Sequence, residues 1–199
     1  MRARTVLTSE RTWPDWFTGQ YAQDAFERHL LPIAGRENFY ALQIGAYCGD
    51  ATEWLLTNVV TGKGSWLVDV DTWEGSKEAE HEAIDFREVE RFYLQRVEPF
   101  IHLGRFKGTS DDYFKQHPVG FDFIYIDGAH NAEQVLRDAV NADRYLNVGG
   151  LIAFDDYRWW EYGNNRDTPG PAIDSFLRCY EKRYKTLEKD GQVWVRKVR

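Results

Sequence analysis

Cysteine is scarce in this chain: Cys48 and Cys179 are the only two among 199 residues. Two are too few for a disulfide framework and lack the spacing of a metal site, which agrees with a reducing compartment. Basic residues are outnumbered. Lys and Arg total 25 against 32 Asp and Glu, a net charge of −7, which argues against a nucleic-acid backbone or an anionic membrane surface as the main partner and favours a small molecule or a neutral polymer. No apolar run approaches the roughly 20 residues of a membrane-spanning helix. The opening "MRARTVLTSERTW" lacks the apolar stretch of a signal peptide, so a soluble cytoplasmic protein is expected. Internal repeats, low-complexity tracts and linkers are also missing, and one domain over residues 1–199 is expected. Aromatics are plentiful instead. Eight Trp, eleven Tyr and twelve Phe within a 43% hydrophobic chain give the composition of a packed globule with an aromatic core.

Ala22, Phe26, Leu30 and Ile33 recur at helical spacing and predict an amphipathic helix near the N-terminus. "FYALQIG" (39–45) reads as a strand ending in a glycine turn, and "DATEWLLTNVV" (50–60) as a helix with Asp50 as its cap. "GSWLVDVD" (64–71) is a second strand, residues 74–96 a charged helical stretch, and "FIHLGRF" (100–106) a third strand. "FDFIYID" (121–127) and "LIAFDD" (151–156) are continuous apolar runs, as expected of strands buried on both faces of a parallel sheet. Between them Val135, Ala139, Ala142 and Leu146 mark a helix capped by Asn131, and "NVGG" (147–150) reads as a turn. Ala172, Ile173, Phe176, Leu177 and Tyr180 mark the last helix, and "YKTLEK" with "QVWVRKV" around "DG" predicts a closing hairpin. Strands alternating with helices imply an open, mostly parallel α/β sheet to which the hairpin adds one antiparallel strand.

In such a sheet a ligand lies outside the carboxyl ends of the strands. "QIGAYCGDAT" carries Gly45 and Gly49 there, which permit a tight turn and close approach to the backbone. The turn is neither G-x-G-x-x-G nor a P-loop, so a nucleoside-type ligand without a pyrophosphate suits it better than NAD or ATP. Asp71, with Thr72 beside it, ends the second strand, where a carboxylate can accept two hydrogen bonds from ribose hydroxyls or simply fix a turn. Ser110 follows the third strand and reaches an adenine or caps a helix. Asp127, Asp155 and Asp156 end the two apolar runs. If those strands are neighbours the three carboxylates repel one another, a penalty that a hard divalent cation such as Mg²⁺, Ca²⁺ or Mn²⁺ removes; the alternative is capping and solvation. His130, three residues past Asp127, is a candidate general base, metal ligand or orienting donor. Trp159, Trp160 and Tyr162 wall a substrate pocket or pack over the last helix.

Together "ALQIGAYCGDAT", "LVDVDTWEG", "FDFIYIDGAH" and "YLNVGGLIAFDDY" resemble the motifs of class I S-adenosylmethionine-dependent methyltransferases over nearly the whole chain. "DTWEG", "IDGAH", "FDDY" and "PGPAIDSFL" look most like the small-molecule O-methyltransferase branch that includes macrocin O-methyltransferase. The resemblance implies a Rossmann-like, doubly wound, mostly parallel seven-stranded sheet with a C-terminal antiparallel hairpin. It implies that Gly45, Tyr47 and Thr52 line the methionine part of S-adenosylmethionine, that Asp71 holds the ribose, and that Ser110 lies near the adenine. Asp127, Asp155 and Asp156 match the metal-ligand positions of the metal-dependent members, and catechol O-methyltransferase has a similar acidic cluster. Two positions depart from the pattern: Gln43 stands where Glu is frequent, and Ala129 where macrocin-type loops carry an acid, which makes His130 the nearest base. The expected reaction is methyl transfer to a hydroxyl of a small molecule or saccharide, assisted by Mg²⁺ or another divalent cation, with Asp127 and His130 in catalytic roles. Residues 1–38 and 72–98 are the segments available to cover the substrate. Nucleic acid and membrane are not expected as partners, and a homodimer is compatible with the sequence. The alternatives are a metal-independent N- or O-methyltransferase, a non-catalytic cofactor-binding module, and, by fold alone, a nicotinamide oxidoreductase.

Overall fold

Apolar residues on both faces of the central strands decide the architecture. The computed structural model describes residues 11–76, 81–159 and 167–199. Its elements run α1 (Tyr21–Leu30), β1 (Tyr40–Ile44), α2 (Asp50–Asn58), β2 (Trp66–Asp71), α3 (Phe86–Val97), β3 (Leu103–Lys107), α4 (Ser110–Gln116), β4 (Phe121–Ile126), α5 (Ala132–Tyr145), β5 (Leu146–Phe154), α6 (Pro169–Cys179), β6 (Tyr184–Lys189) and β7 (Val193–Lys197), with a 3-10 turn at Leu31–Ile33. They form one seven-stranded sheet of order β3-β2-β1-β4-β5-β7-β6. Strands β1 to β5 pair in parallel, and β7 lies antiparallel between β5 and β6. Strand order reverses between β1 and β4, so a crevice opens at the carboxyl ends of these two strands.

Alternation splits the side chains of β1 and β4 between two cores. Leu42, Ile44, Ile124 and Ile126 pack with Val135 and Ala139 of α5 and Ile173 and Phe176 of α6. Ala41, Phe123 and Tyr125 pack on the other face with Phe26 and Leu30 of α1, Leu55 of α2 and Trp194 of β7. Phe26 is fully buried and meets the rings of Phe17, Trp54, Phe123, Tyr125 and Trp194 at centroid distances of 4.8 to 5.9 Å. Burying such a side chain contributes about 1.5–3 kcal/mol, and here it fixes α1 against the sheet.

Three expectations differ from the structure. Asp50 is not the cap of α2: Gly49, at φ +85°, holds that position, and the Asp50 carboxylate accepts instead from Arg11 and Arg96. Leu146, placed by its spacing on α5, opens β5, and "NVGG" lies within that strand, where pairing jumps from Phe121↔Leu146 to Phe123↔Leu151. Gly150 allows this irregularity, since a Cβ there would lie 2.9 Å from the carbonyls of Asn147 and Asp122. The charged stretch 74–96 is helical only from Phe86, where the Asp85 side chain accepts from Arg87 N; residues 77–80 lie outside the described residues. Asn131 caps α5 as expected, its side chain accepting from Gln134 N.

Asp69, in the middle of β2, is fully buried, and its Oδ2 accepts from Thr52 Oγ1 and Tyr93 OH at 2.7 Å each. Burial pushes its pKa up to about 7. The folded chain thus keeps a proton that the unfolded chain releases near pH ~4. Stability present below that pH is lost as pH rises to about 7, on the order of 1 kcal/mol per pH unit. Asp69→Asn cannot ionise, so its stability relative to wild type should rise between about pH 4.5 and about pH 8 in urea unfolding. An unchanged difference between the two pH values would refute the assignment.

Candidate active site

Adjacency of β4 and β5 brings the two acidic strand ends together. Asp127 N donates to Ile44 O at 2.9 Å and Asp155 N to Ile126 O at 3.0 Å, so the chain leaves the sheet at the same height from both strands. His130 Nε2 lies 3.0 Å from Asp156 Oδ2 and 3.8 Å from Asp127 Oδ1. One ligand atom each from Asp127, His130 and Asp156 falls within a 4.8 Å span. Asp156 has φ +54°, a left-handed conformation that Asp tolerates better than most residues. The His130 ring leans on Trp159 at a centroid distance of 4.6 Å. Both oxygens of Asp155 are engaged by protein donors. Its Oδ2 accepts from Tyr125 OH and from Gln192 Nε2 (3.1 Å), and its Oδ1 from Tyr21 OH (3.0 Å) and Asp156 N (2.8 Å). Burial raises the pKa of both Asp127 and Asp155; the neighbouring carboxylates add to the rise, while the His130 side chain opposes it at Asp127. Two hard carboxylate oxygens and an imidazole nitrogen at this spacing suit a divalent cation, which would relieve the repulsion.

On the other side of the crevice Gly45 takes φ +88° between β1 and α2. Asp71 fixes this turn: its Oδ2 accepts from Ala46 N (2.8 Å) and Tyr47 N (2.9 Å), and its Oδ1 from Trp73 N (2.7 Å). Tyr47 and Trp73 hold positive φ angles of 49° and 50°, uncommon for bulky side chains, and Trp73 Nε1 donates to Tyr47 O. Gln43 Nε2 donates to Gly45 O at 2.9 Å, and its buried Oε1 has no hydrogen-bond partner among the described residues.

Two cavities meet above these turns. One, of about 510 Å³, is bordered by the carboxylate corner, Tyr21, Trp16 and Trp159; the other, of about 300 Å³, by Asp71, Thr72, Ser110, Gln134 and Asp138. Gly45, Tyr47, Asp127, His130, Trp16 and His81 border both. Trp16 stacks on Tyr47 at 4.8 Å and approaches His81 at 5.7 Å, and His81 meets Phe86 at 5.0 Å, so an aromatic cover lies over the junction. Ser110 is the first residue of α4, whose cap is Thr109; the Ser110 hydroxyl donates to Asp138 Oδ1 at 2.6 Å, and burial pushes that carboxyl up to about 6. Thr52 stands apart: its hydroxyl is buried against Asp69, and it lines neither cavity. Trp160 and Tyr162 lie outside the described residues.

Sequence reasoning missed Trp16, Tyr21, His81, Gln134 and Asp138. Asp138 carried a legible signal, a charged residue on the buried stripe of α5 between Val135 and Ala142, with Gln134 four residues before it. The others arrive from segments far apart in the chain and carried none.

A family model described as a methyltransferase domain matches residues 42–157. A 45-residue stretch is 44% identical to an uncharacterized protein of Acanthamoeba polyphaga mimivirus; the match spans 21% of this chain and only 20% of that protein's length. Similar solved structures include an O-methyltransferase from Bacillus cereus in complex with S-adenosylhomocysteine, 21% identical over 89% of this chain and 82% of that one, with a TM-score of 0.63. The O-methyltransferase TomG from Streptomyces achromogenes, involved in tomaymycin synthesis and bound to S-adenosylmethionine, is 15% identical over 94% and 83% of the two chains, with a TM-score of 0.66. An rRNA methylase from Streptococcus thermophilus is 11% identical over 88% and 95%, with a TM-score of 0.63. At these identities the likeness is one of fold, and fold alone does not separate small-molecule from RNA acceptors. Among the described residues no helix is long and apolar enough to cross a membrane.

Proposed function

Because the chain belongs to the methyltransferase-domain family and has the fold of the S-adenosylmethionine-dependent methyltransferases, we propose that it transfers a methyl group from S-adenosylmethionine to a hydroxyl of a small molecule or sugar, assisted by a divalent cation. The observation that carries this reading is the pair of cavities that share Gly45, Tyr47, Asp127 and His130. The smaller takes the adenosine, with Asp71 and Thr72 at the ribose and Ser110 near the adenine. Gly45 and Tyr47 lie under the methionine part, which brings the sulfonium to the shared wall. The larger takes the acceptor. Trp16, Phe17, Gln20 and Tyr21 on one side and His81 and Phe86 on the other cover the two chambers.

Transfer is an in-line displacement: the S–CH₃ bond breaks as the O–CH₃ bond forms, and the hydroxyl proton leaves. Holding sulfur, methyl carbon and oxygen in line supplies much of the rate. A divalent cation held at the carboxylate corner would lower the pKa of a hydroxyl beside it. Asp127, Asp155 and Asp156 are the carboxylates that would hold it, and His130 Nε2 faces the same point as ligand or as base. No Lys or Arg is among the described residues that line the larger cavity, whereas Asp50, Asp127, Asp155 and Asp156 are. This lining disfavours phosphate-bearing acceptors and supports a neutral or cationic small molecule over RNA.

Calorimetry with S-adenosylhomocysteine tests the central claim, and binding with one molecule per chain is expected. Absence of binding would remove it. Turnover of radiolabelled S-adenosylmethionine against a panel of hydroxylated acceptors should fall at least about tenfold with EDTA and return with added divalent cation. Activity that survives EDTA would identify a metal-independent enzyme.

A further inference from the structure

This inference rests on the cation reading above and concerns which side chains hold the ion. A carboxylate offers about four acceptor positions on its two oxygens. In Asp155 they meet four donors: Tyr125 OH and Gln192 Nε2 on Oδ2, Asp156 N and Tyr21 OH on Oδ1, the last shared at 3.4 Å with Asp156 Oδ1. The network is anchored in the core. Tyr125 and Gln192 are each 1% exposed, and Gln192 Oε1 is itself held by Trp194 Nε1 at 2.8 Å. For Asp155 to turn toward an ion, a hydroxyl or amide behind it must lose its acceptor where water does not replace it. Asp156 differs: its Oδ2 points at His130 Nε2, 3.0 Å away, and Asp127 Oδ1 lies 3.8 Å from the same nitrogen. Adjacent ligands of an octahedral ion with bonds of about 2.1 Å are roughly 3 Å apart, so this trio needs only small adjustment to close on a cation.

We infer that Asp127, His130 and Asp156 are the protein ligands, and that Asp155 is a positioning residue that orients Asp156 through its backbone amide. An imidazole among the ligands moves the preference from Mg²⁺, which favours oxygen and retained water, toward transition ions such as Mn²⁺ and Co²⁺. It also takes His130 out of the role of base, since one Nε2 lone pair cannot hold both an ion and a proton.

The test is equilibrium binding of MgCl₂, MnCl₂ and CoCl₂ to the metal-free full-length protein, with no acceptor present. Mn²⁺ and Co²⁺ are expected to bind at least about tenfold tighter than Mg²⁺. The Co²⁺ form should show a hyperfine-shifted imidazole resonance. His130→Gln should erase that resonance and weaken Co²⁺ at least about tenfold, whereas Asp155→Asn should weaken it less. If Asp155→Asn does not fold, the wild-type and His130→Gln spectra still decide. A His130→Gln variant that keeps its Co²⁺ affinity, or an Asp155→Asn variant that loses more, would overturn the ligand assignment and leave cation assistance standing. Failure of all three ions to bind the wild type would remove both.

Discussion

Gly45→Ala is expected to lose S-adenosylhomocysteine binding altogether and to melt about 8–16 °C below the wild type. A Cβ at this position would sit 1.8 Å from the carbonyl oxygen of Asp127, 2.5 Å from its carbonyl carbon and 2.9 Å from Gly128 Cα. Ordinary carbon contacts are about 3.5–4.0 Å. None of these atoms belongs to a side chain that can swing away, and Asp127 N is tied to Ile44 O across the β1–β4 pairing. Relief requires the carboxyl ends of β1 and β4 to separate, which opens the floor of both cavities. The left-handed φ of +88° adds about 1 kcal/mol or more for any residue with a Cβ. A total of about 4 kcal/mol is exceptional for one substitution, and at about 2–4 °C per kcal/mol for a chain of this size it gives the stated shift. Gly149→Ala separates the two causes, because Gly149 has φ +89° and nothing within 4 Å of a Cβ. That variant should bind S-adenosylhomocysteine normally and lose only the backbone share. Normal ligand binding in Gly45→Ala would show that the turn is not the cofactor floor.

Asp71→Ala should weaken S-adenosylhomocysteine at least about a hundredfold and lower stability by about 2–4 kcal/mol. Three backbone amides, at Ala46, Tyr47 and Trp73, share this carboxylate, and two of them belong to residues held at positive φ. Without it the amides turn to water in the cavity, and the two turns relax toward ordinary backbone. Asp71→Asn should fall between, since its oxygen serves one side while its NH₂ meets amide donors on the other. Calorimetry with S-adenosylhomocysteine and a thermal melt on both variants measure the two effects. An affinity within about threefold of wild type in Asp71→Ala would mean that the ribose is held elsewhere.

Strands with a two-faced apolar pattern were legible because their composition has no other use. "FDFIYID" lies almost residue for residue on β4, and "YKTLEK", a largely polar run placed by the hairpin signal at "DG", on β6. Placing the acids at a common edge needed only the rule that parallel strands end together, and the β4–β5 pairing, in register to Ile126↔Phe154, does bring Asp127 to the same edge as Asp155 and Asp156. Other features had no local cause. The β5 irregularity depends on Gly150 meeting the carbonyls of Asn147 and Asp122, one of them in the neighbouring strand. Asp155 and Asp156 are adjacent and identical in type, and Tyr125 and Gln192, which reach Asp155 alone, tell them apart, while Tyr21 OH touches both. Those three residues come from α1, β4 and the turn just before β7, and no spacing in the sequence links them. The turn around Asp71 reads as a ribose site, but two of its three amide bonds, from Ala46 and Tyr47, arise from long-range geometry.

Tyr21 and Gln192 lie outside residues 42–157, the span that matches the family model. A chain trimmed to that span would retain Asp127, His130 and Asp156 while discarding two of the four donors that restrain Asp155. It would also strip away Trp16 and leave the face once covered by Phe26 bare. The smallest unit able to hold this corner in its native arrangement is therefore longer at both ends than the shared motif.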